Sequence, residues 1–210
     1  FMKKIKTAME VLANPPKLFK KHIIDGIDYR DIDDIKSRCS MIHAFGLGFI
    51  QIKLDYEHRI HLYSSAVKIT SGEEDFHNHR YNFESFICQG NLTNEIIEYR
   101  VAKPGTHLHS YASCELDKGE CVITPAPFTV DIANKSSFSM CAGSSYKLNS
   151  EVFHRVAAAE NTITLLKRGL KLKSLAAILF PFDKEKECPF SANVHSEDKL
   201  WEIYREAINA

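Results

Sequence analysis

The spacing of hydrophobic residues changes twice along the chain and divides it into three zones. Up to about Phe45, apolar residues recur at three- and four-residue steps, which is typical of one face of a helix. This stripe consists of Ile32, Ile35, Cys39, Ile42 and Phe45. Asn14-Pro15-Pro16 interrupts an earlier short helix, because proline lacks a backbone donor. From Ser196 the pattern is helical again, with a helix-capping serine followed by the apolar stripe Leu200, Ile203, Tyr204, Ala207 and Ile208.

Between these zones, from Gly48 to about Phe180, the period is two. Ile50, Ile52 and Leu54 alternate with polar residues, which predicts a half-buried strand. Further strands are predicted where β-branched and aromatic residues cluster, at 83–89, 94–101, 121–124, 128–132, 152–157 and 162–167. Turn residues separate them, including Pro125-Ala126-Pro127 and Asn134-Lys135-Ser136-Ser137. Many short strands without intervening helices indicate a mainly β sandwich or barrel.

The three zones give a domain organisation. We expect an N-terminal helical extension over residues 1–47, a β-barrel over 48–182, and a C-terminal loop and helix over 183–210. The terminal helices are expected to pack on the outside of the barrel. A chain of 210 residues is long enough to bury one substantial core.

Composition and charge exclude several classes of function. The chain has 27 Lys+Arg and 27 Asp+Glu, so it lacks the general basic field of a nucleic-acid-binding protein. Its longest apolar run, Leu175 to Phe180, is far shorter than the ~20 residues of a membrane span. The first residues are too polar for a signal peptide, and the six cysteines form no CxxC pair. We therefore expect a cytoplasmic protein with reduced thiols.

Candidate chemistry begins with two histidines separated by one residue. On a strand, His77 and His79 project from the same face, ~6.6 Å apart, and can share one divalent metal. Glu84 follows at an odd offset and joins that face only if a turn or bulge intervenes. His154 is a fourth candidate, just before another predicted strand. Two histidines, a carboxylate and an open position suit Fe(II), Mn, Ni, Cu or Zn.

The residues around these histidines resemble two motifs of the cupin superfamily. Gly72-x4-His77-x-His79-x4-Glu84-x5-Gly90 is similar to the first motif, and Gly143-x5-Asn149-x-Glu151-x2-His154 to the second. The resemblance covers roughly residues 48–168. It implies a cupin-type jelly-roll barrel with one metal, Fe(II) first, held by His77, His79, Glu84 and His154. It also implies a homodimer.

Within the superfamily the nearest resemblance is to the cysteine-dioxygenase-like group. It is carried by Ser145-Tyr146-x-Leu148-Asn149-Ser150 running into His154-Arg155-Val156, and by Gln89-Gly90-Asn91-Leu92. The resemblance implies a mononuclear non-haem iron oxygenase acting on a small polar molecule such as a thiol. Two alternatives stay open: a metal-independent cupin isomerase or epimerase, and a non-enzymatic jelly roll that binds a small ligand.

The remaining charged and polar residues add smaller expectations. An acidic substrate needs a cation, and Lys53, Arg59 and Arg155 are the candidates, although the alternation does not say whether Lys53 faces the lumen or solvent. His107 and His109 form a second HxH without a glutamate or glycine partner, which indicates an exposed strand. Neither nucleic acid nor membrane is expected as a partner.

Overall fold

The computed structural model describes residues 23–45, 47–68, 75–115, 120–181 and 195–210, and these residues are mainly β. Two α-helices are present among them, α1 (Ile32–Arg38) and α2 (Glu197–Ile208). The strands are β1 (Ile23–Ile24), β2 (Ile27–Asp28), β3 (Met41–Phe45), β4 (Leu47–Lys53), β5 (His58–Lys68), β6 (Phe76–His77), β7 (Tyr81–Gln89), β8 (Asn91–Ala102), β9 (His107–Glu115), β10 (Glu120–Cys141), β11 (Ser145–Leu148), β12 (Phe153–Ala158), β13 (Thr162–Lys171) and β14 (Ala176–Pro181). The predicted break at Asn14-Pro15-Pro16 and the motif residue Gly72 lie outside the described residues.

Twelve of these strands form two antiparallel sheets. One sheet has the order β11-β7-β13-β5-β4-β3. The other has the order β10-β8-β12-β6-β14-β9 and closes on itself. It closes because β10 is long enough to pair with β9 through its first part and with β8 through its second part.

The outer face of the six-stranded sheet carries the largest core. Its side chains Ile50, Ile52, Ile60 and Leu62 are fully buried and pack with Tyr204 of α2. The Tyr204 hydroxyl also donates a hydrogen bond to the carbonyl oxygen of Tyr29, at 2.7 Å. The C-terminal helix therefore covers this face, and the polar residues that alternate with the isoleucines turn inward towards the second sheet.

The C-terminal helix begins as the sequence predicts, whereas the predicted N-terminal helical zone contains strands β1 and β2 before α1. The Ser196 side chain accepts a hydrogen bond from the backbone N–H of Lys199, at 3.3 Å, and caps α2. The predicted N-terminal stripe, however, is helical only as far as Arg38. Its last two members, Ile42 and Phe45, lie on strand β3 instead. The backbone becomes extended at Cys39, and the Ser40 N–H then donates to the Lys53 carbonyl oxygen, which starts the pairing of β3 with β4.

The turns predicted at 125–127 and 134–137 do not form, and these residues belong to one continuous strand, β10. Pro125, Ala126 and Pro127 lie inside β10, at a shift of its register with β9. A second shift with β8, between Ile132 and Asn134, replaces the predicted turn. Proline is tolerated at such irregularities because no ladder hydrogen bond depends on its missing N–H. The apolar run at the end of the β zone forms β14, and no helix in the described residues is long and apolar enough to cross a membrane.

Candidate metal centre

Strand pairing brings two of the candidate histidines together. On the closed sheet, β6 lies between β12 and β14, and His77 of β6 is directly opposite His154 of β12. The sequence separation of these residues is large, so their contact depends on the assembly of the whole sheet. Their ring centroids are 4.8 Å apart.

His79 is held beside this pair by Asn78. The Asn78 side-chain oxygen accepts a hydrogen bond from the backbone N–H of Ala177 at 2.7 Å, and the Asn78 N–H donates to the Ala177 carbonyl oxygen at 2.9 Å. Both bonds tie the segment after β6 to β14. With the buried Asn78 directed at that strand, the histidines on either side of it face the same way, as the HxH spacing predicts.

The three histidines form a compact triangle. The centroid of the His79 ring is 5.0 Å from that of His77 and 5.0 Å from that of His154. The Nε2 atoms of His79 and His154 are 2.8 Å apart. One nitrogen from each residue can be chosen so that all lie within 4.8 Å of one another. Among the described residues, this is the one group of histidine, cysteine or acidic residues with metal-site spacing.

Hydrogen bonds made by the Nδ1 atoms of two of these rings set the orientation of the rings. The Nδ1–H of His154 donates to the side-chain oxygen of Asn94, at 3.2 Å, and the Nδ1–H of His77 donates to the carbonyl oxygen of Asp75, at 3.0 Å. In both rings Nε2 therefore carries the lone pair. Metal-ligating histidines are commonly held in this way, with the second nitrogen donating to a carbonyl or amide oxygen.

Burial keeps the imidazoles of His79 and His154 neutral. Removal from water, reinforced by the neighbouring histidines, holds the pKa values of His79 and His154 well below the usual 6.5. Across the cavity, burial lowers the pKa of His61 to about 3. Neutral imidazole is the form that binds a metal, so His79 and His154 are ready to act as ligands at neutral pH.

These pKa shifts predict that the metal-free protein loses stability as the pH falls from 7 to 5. In the unfolded chain His61, His79 and His154 become protonated near pH 6.5, whereas in the folded chain these three residues stay neutral. Below pH 6.5 each group should therefore lower the free energy of unfolding by about 1.4 kcal/mol per pH unit. Urea denaturation at pH 7, 6 and 5 measures this slope. A free energy of unfolding that does not change over this range contradicts the assignment.

The structure does not bring Glu84 to the histidines. Strand β7 alternates regularly, and Tyr81 and Phe83 face the cavity while Glu84 faces the other side. The Glu84 carboxylate accepts a hydrogen bond from the Ser145 hydroxyl at 3.3 Å and forms an ion pair with Lys147 at 3.2 Å. The four-ligand expectation is corrected to three histidines, because β7 alternates regularly from Tyr81 to Ser85 and has no bulge there that would turn Glu84 inward.

The triangle opens into a cavity of about 230 Å³ between the two sheets. Residues of the six-stranded sheet form the wall opposite the histidines, among them Gln51, Arg59, His61 and Thr164. The sequence left open which way Lys53 faces; Lys53 shares its face of β4 with Gln51, which lines the cavity, so this face is the inner one. Arg59 lines the cavity with a buried Nε that has no hydrogen-bond partner in the described residues. Of the other cations named from the sequence, Arg155 is ion-paired with Glu95.

The sequence did not identify Asn94 as a positioning group, and it misplaced one histidine. Asn94 orients His154 from a strand that is remote in sequence, so no local pattern connects the two residues. His109 was expected on an exposed strand, yet only 4% of its surface is accessible. Its ring packs against Tyr111 at 5.1 Å and Phe128 at 4.9 Å between ring centroids, away from the three histidines.

Comparison with known proteins identifies distant structural neighbours. No family model matches the chain, and no curated protein matches it. Protein NMB1881 from Neisseria meningitidis is 14% identical, with 64% of this chain and 96% of that chain covered and a TM-score of 0.32. Hydroquinone 1,2-dioxygenase from Sphingomonas sp. TTNP3 is 10% identical, with 56% and 63% covered and a TM-score of 0.32.

A third solved structure is similar at the same level. Hydroxypropylphosphonic acid epoxidase from S. wedmorenis is 12% identical, with 74% of this chain and 65% of that chain covered and a TM-score of 0.32. The chain thus spans less than two thirds of the length of both named enzymes. These likenesses are too distant to carry an argument about activity.

Proposed function

We propose that this protein is a metal-dependent oxygenase with one non-haem iron held by His77, His79 and His154 in a cupin-type jelly roll. The observation that carries the proposal is the convergence of three imidazoles, with nitrogens within 4.8 Å of one another, at a cavity between two sheets. Packing alone does not require three histidines to meet with their nitrogens together.

The donor set fits a divalent transition metal. Two nitrogens bound to one ion at about 2.0–2.1 Å and at right angles are about 3 Å apart, close to the 2.8 Å between Nε2 of His79 and Nε2 of His154. Imidazole suits iron, copper, nickel and zinc, and the resemblance to the cysteine-dioxygenase-like group favours Fe(II). When bound, such an ion supplies Lewis acidity and, if it is iron, the electrons for dioxygen chemistry.

The chain's own residues bind and orient the reactants. Three protein ligands leave coordination positions open, and the cavity of about 230 Å³ admits only a small molecule. The Arg59 guanidinium lies 5.7 Å from the centre of the Tyr81 ring and supplies a positive charge on the cavity wall. An anionic group on the substrate would be held there. A small polar molecule, with thiols as the subclass that the resemblance implies, is the substrate that this proposal requires.

Oxygen uptake tests the proposal. Protein loaded anaerobically with Fe(II) is mixed with air-saturated buffer and a panel of thiols and small carboxylic acids. We expect substrate-dependent oxygen consumption in the wild type and its loss both in His77→Ala and after chelation. Glu84→Gln is the matched control and should keep the activity. Turnover of a substrate that survives chelation favours the isomerase alternative, and absence of oxygen uptake across the panel contradicts the oxygenase.

A further inference from the structure

We propose that His61, held by Gln51, is a substrate-recognition group that donates a hydrogen bond to an acceptor oxygen of the molecule in this cavity. The inference rests on the proposed function, because it concerns the same cavity, and it adds a class of substrate. That class is a small molecule whose polar group is a carbonyl, amide or carboxylate oxygen and whose remaining part is apolar.

The recognition group belongs to a polar row across four strands. His43, Gln51, His61 and Thr164 are direct neighbours in the register of β3, β4, β5 and β13, so they share the inner face of the six-stranded sheet. Gln51 and Thr164 are buried, at 9% and 1% exposure. One step along the strands from this row lie the aromatic residues Phe49 and Tyr63, and one step in the other direction lies Arg59.

A hydrogen bond from Gln51 fixes the tautomer of His61. The side-chain amide N–H of Gln51 donates to Nε2 of His61 at 3.0 Å, so Nε2 carries the lone pair and the ring proton lies on Nδ1. In the described residues the structure gives this Nδ1–H no hydrogen-bond partner. Because burial also lowers the pKa of His61 to about 3, the ring is a neutral donor at any physiological pH. A buried donor of this kind selects a ligand that brings an acceptor.

The cavity around the polar row is apolar. The Phe49 ring lies 5.4 Å from the His61 ring and stacks on Phe45 at 4.5 Å, measured between ring centroids. Ile178 and Phe180 contribute apolar surface from the closed sheet. An apolar cavity of about 150 Å³ holds one benzene molecule, so about 230 Å³ accommodates a six-membered ring with one small substituent. The substrate class is therefore a molecule that has both an apolar body and an acceptor oxygen.

Ligand binding to the metal-free full chain tests this inference independently of the metal. The probes are 4-fluorobenzamide and 4-fluorotoluene, which share a ring and differ in the acceptor, and fluorine NMR titration measures their Kd values. Benzamide is neutral and forms no ion pair with Arg59, and the His61→Phe variant shows whether the donor is His61 or the guanidinium. We expect the wild type to bind the amide about fivefold more tightly than the toluene, as one net hydrogen bond gives.

Substitutions then locate the donor. His61→Phe keeps a ring beside Phe49 but removes the Nδ1–H, so it should lose the preference for the amide. His109→Phe, which changes a buried histidine outside the cavity, should keep the fivefold preference. Gln51→Leu should reduce the preference and shift the histidine nitrogen resonances of His61 away from the Nδ1–H tautomer.

Measurements on the wild type keep the test decisive if His61→Phe does not fold. Adding 4-fluorobenzamide should shift the Nδ1–H resonance of His61 in a nitrogen-edited spectrum, and adding 4-fluorotoluene should not. Equal affinity for the two probes in the wild type, or an unchanged preference in folded His61→Phe, overturns the inference. Failure of the proposed function would instead appear as missing metal or missing oxygen uptake, neither of which changes these readouts.

Discussion

Replacing His154 with alanine is expected to lower the affinity of the folded protein for a divalent metal by at least hundredfold. Loss of an outer hydrogen-bond partner of a ligand typically costs 10–100-fold in affinity, and loss of the ligand itself costs more. His154 is buried at 3% exposure, and its Nε2 lies 2.8 Å from Nε2 of His79. Titration with Co(II), followed by its visible absorption and by calorimetry, gives the two affinities. An affinity in His154→Ala within threefold of the wild type contradicts the three-histidine site.

Glu84→Gln is the matched control for this substitution. Its carboxylate pairs with Lys147, whose side chain is mostly exposed, and surface pairs of this kind contribute little to stability. The glutamine should therefore bind Co(II) as tightly as the wild type. A large loss of affinity in Glu84→Gln would restore the carboxylate to the ligand set and contradict the position of β7 described above.

The second large effect is on stability, and it comes from Gly90. This glycine, at the turn between β7 and β8, has a φ of 75°, and a Cβ added to it would lie 2.5 Å from the Thr162 hydroxyl oxygen and 2.9 Å from the Thr162 Cα. Thr162 is completely buried, and its hydroxyl bonds both the N–H and the carbonyl oxygen of Asn91. Gly90→Ala should lower the free energy of unfolding by about 2–5 kcal/mol, because backbone strain and overpacking add.

Gly26→Ala separates these two causes. Gly26 has nearly the same φ, 76°, but nothing lies within 4 Å of the added Cβ. Only the backbone penalty of about 1–2 kcal/mol should remain. Urea denaturation of the two variants and the wild type measures the difference, and equal losses in Gly90→Ala and Gly26→Ala would show that the contact with Thr162 is not important.

The outline of this fold and site could be predicted from local pattern. Period-two alternation predicts the β zone and places His77 and His79 on one face, since both depend only on neighbouring residues. The capping serine and apolar stripe predict α2 for the same reason. The helical spacing of Ile42 and Phe45 was misleading, because a short apolar segment satisfies more than one period and the pairing of β3 with β4 decides between them.

Contacts between remote strands could not be predicted from the residues alone. His154 reaches His77 through the pairing of β12 with β6, and its membership in the site came from the resemblance to the cupin motifs. The same resemblance placed Glu84 in the site. In the structure, the alternation of β7 around this residue directs Glu84 away from the histidines. The facing of Gln51 towards the lumen likewise depends on which side of the sheet α2 covers, and this is fixed by tertiary packing.

The central claim is that His77, His79 and His154 hold one metal ion, and elemental analysis tests it most directly. The purified protein, reconstituted anaerobically with Fe(II) and desalted, is compared with the His77→Ala/His79→Ala double variant treated in the same way. The wild type should retain about one ion per chain and the double variant none, since metal binding needs the folded set of neutral ligands. Wild-type protein that retains no metal, or a double variant that retains as much as the wild type, would contradict the claim.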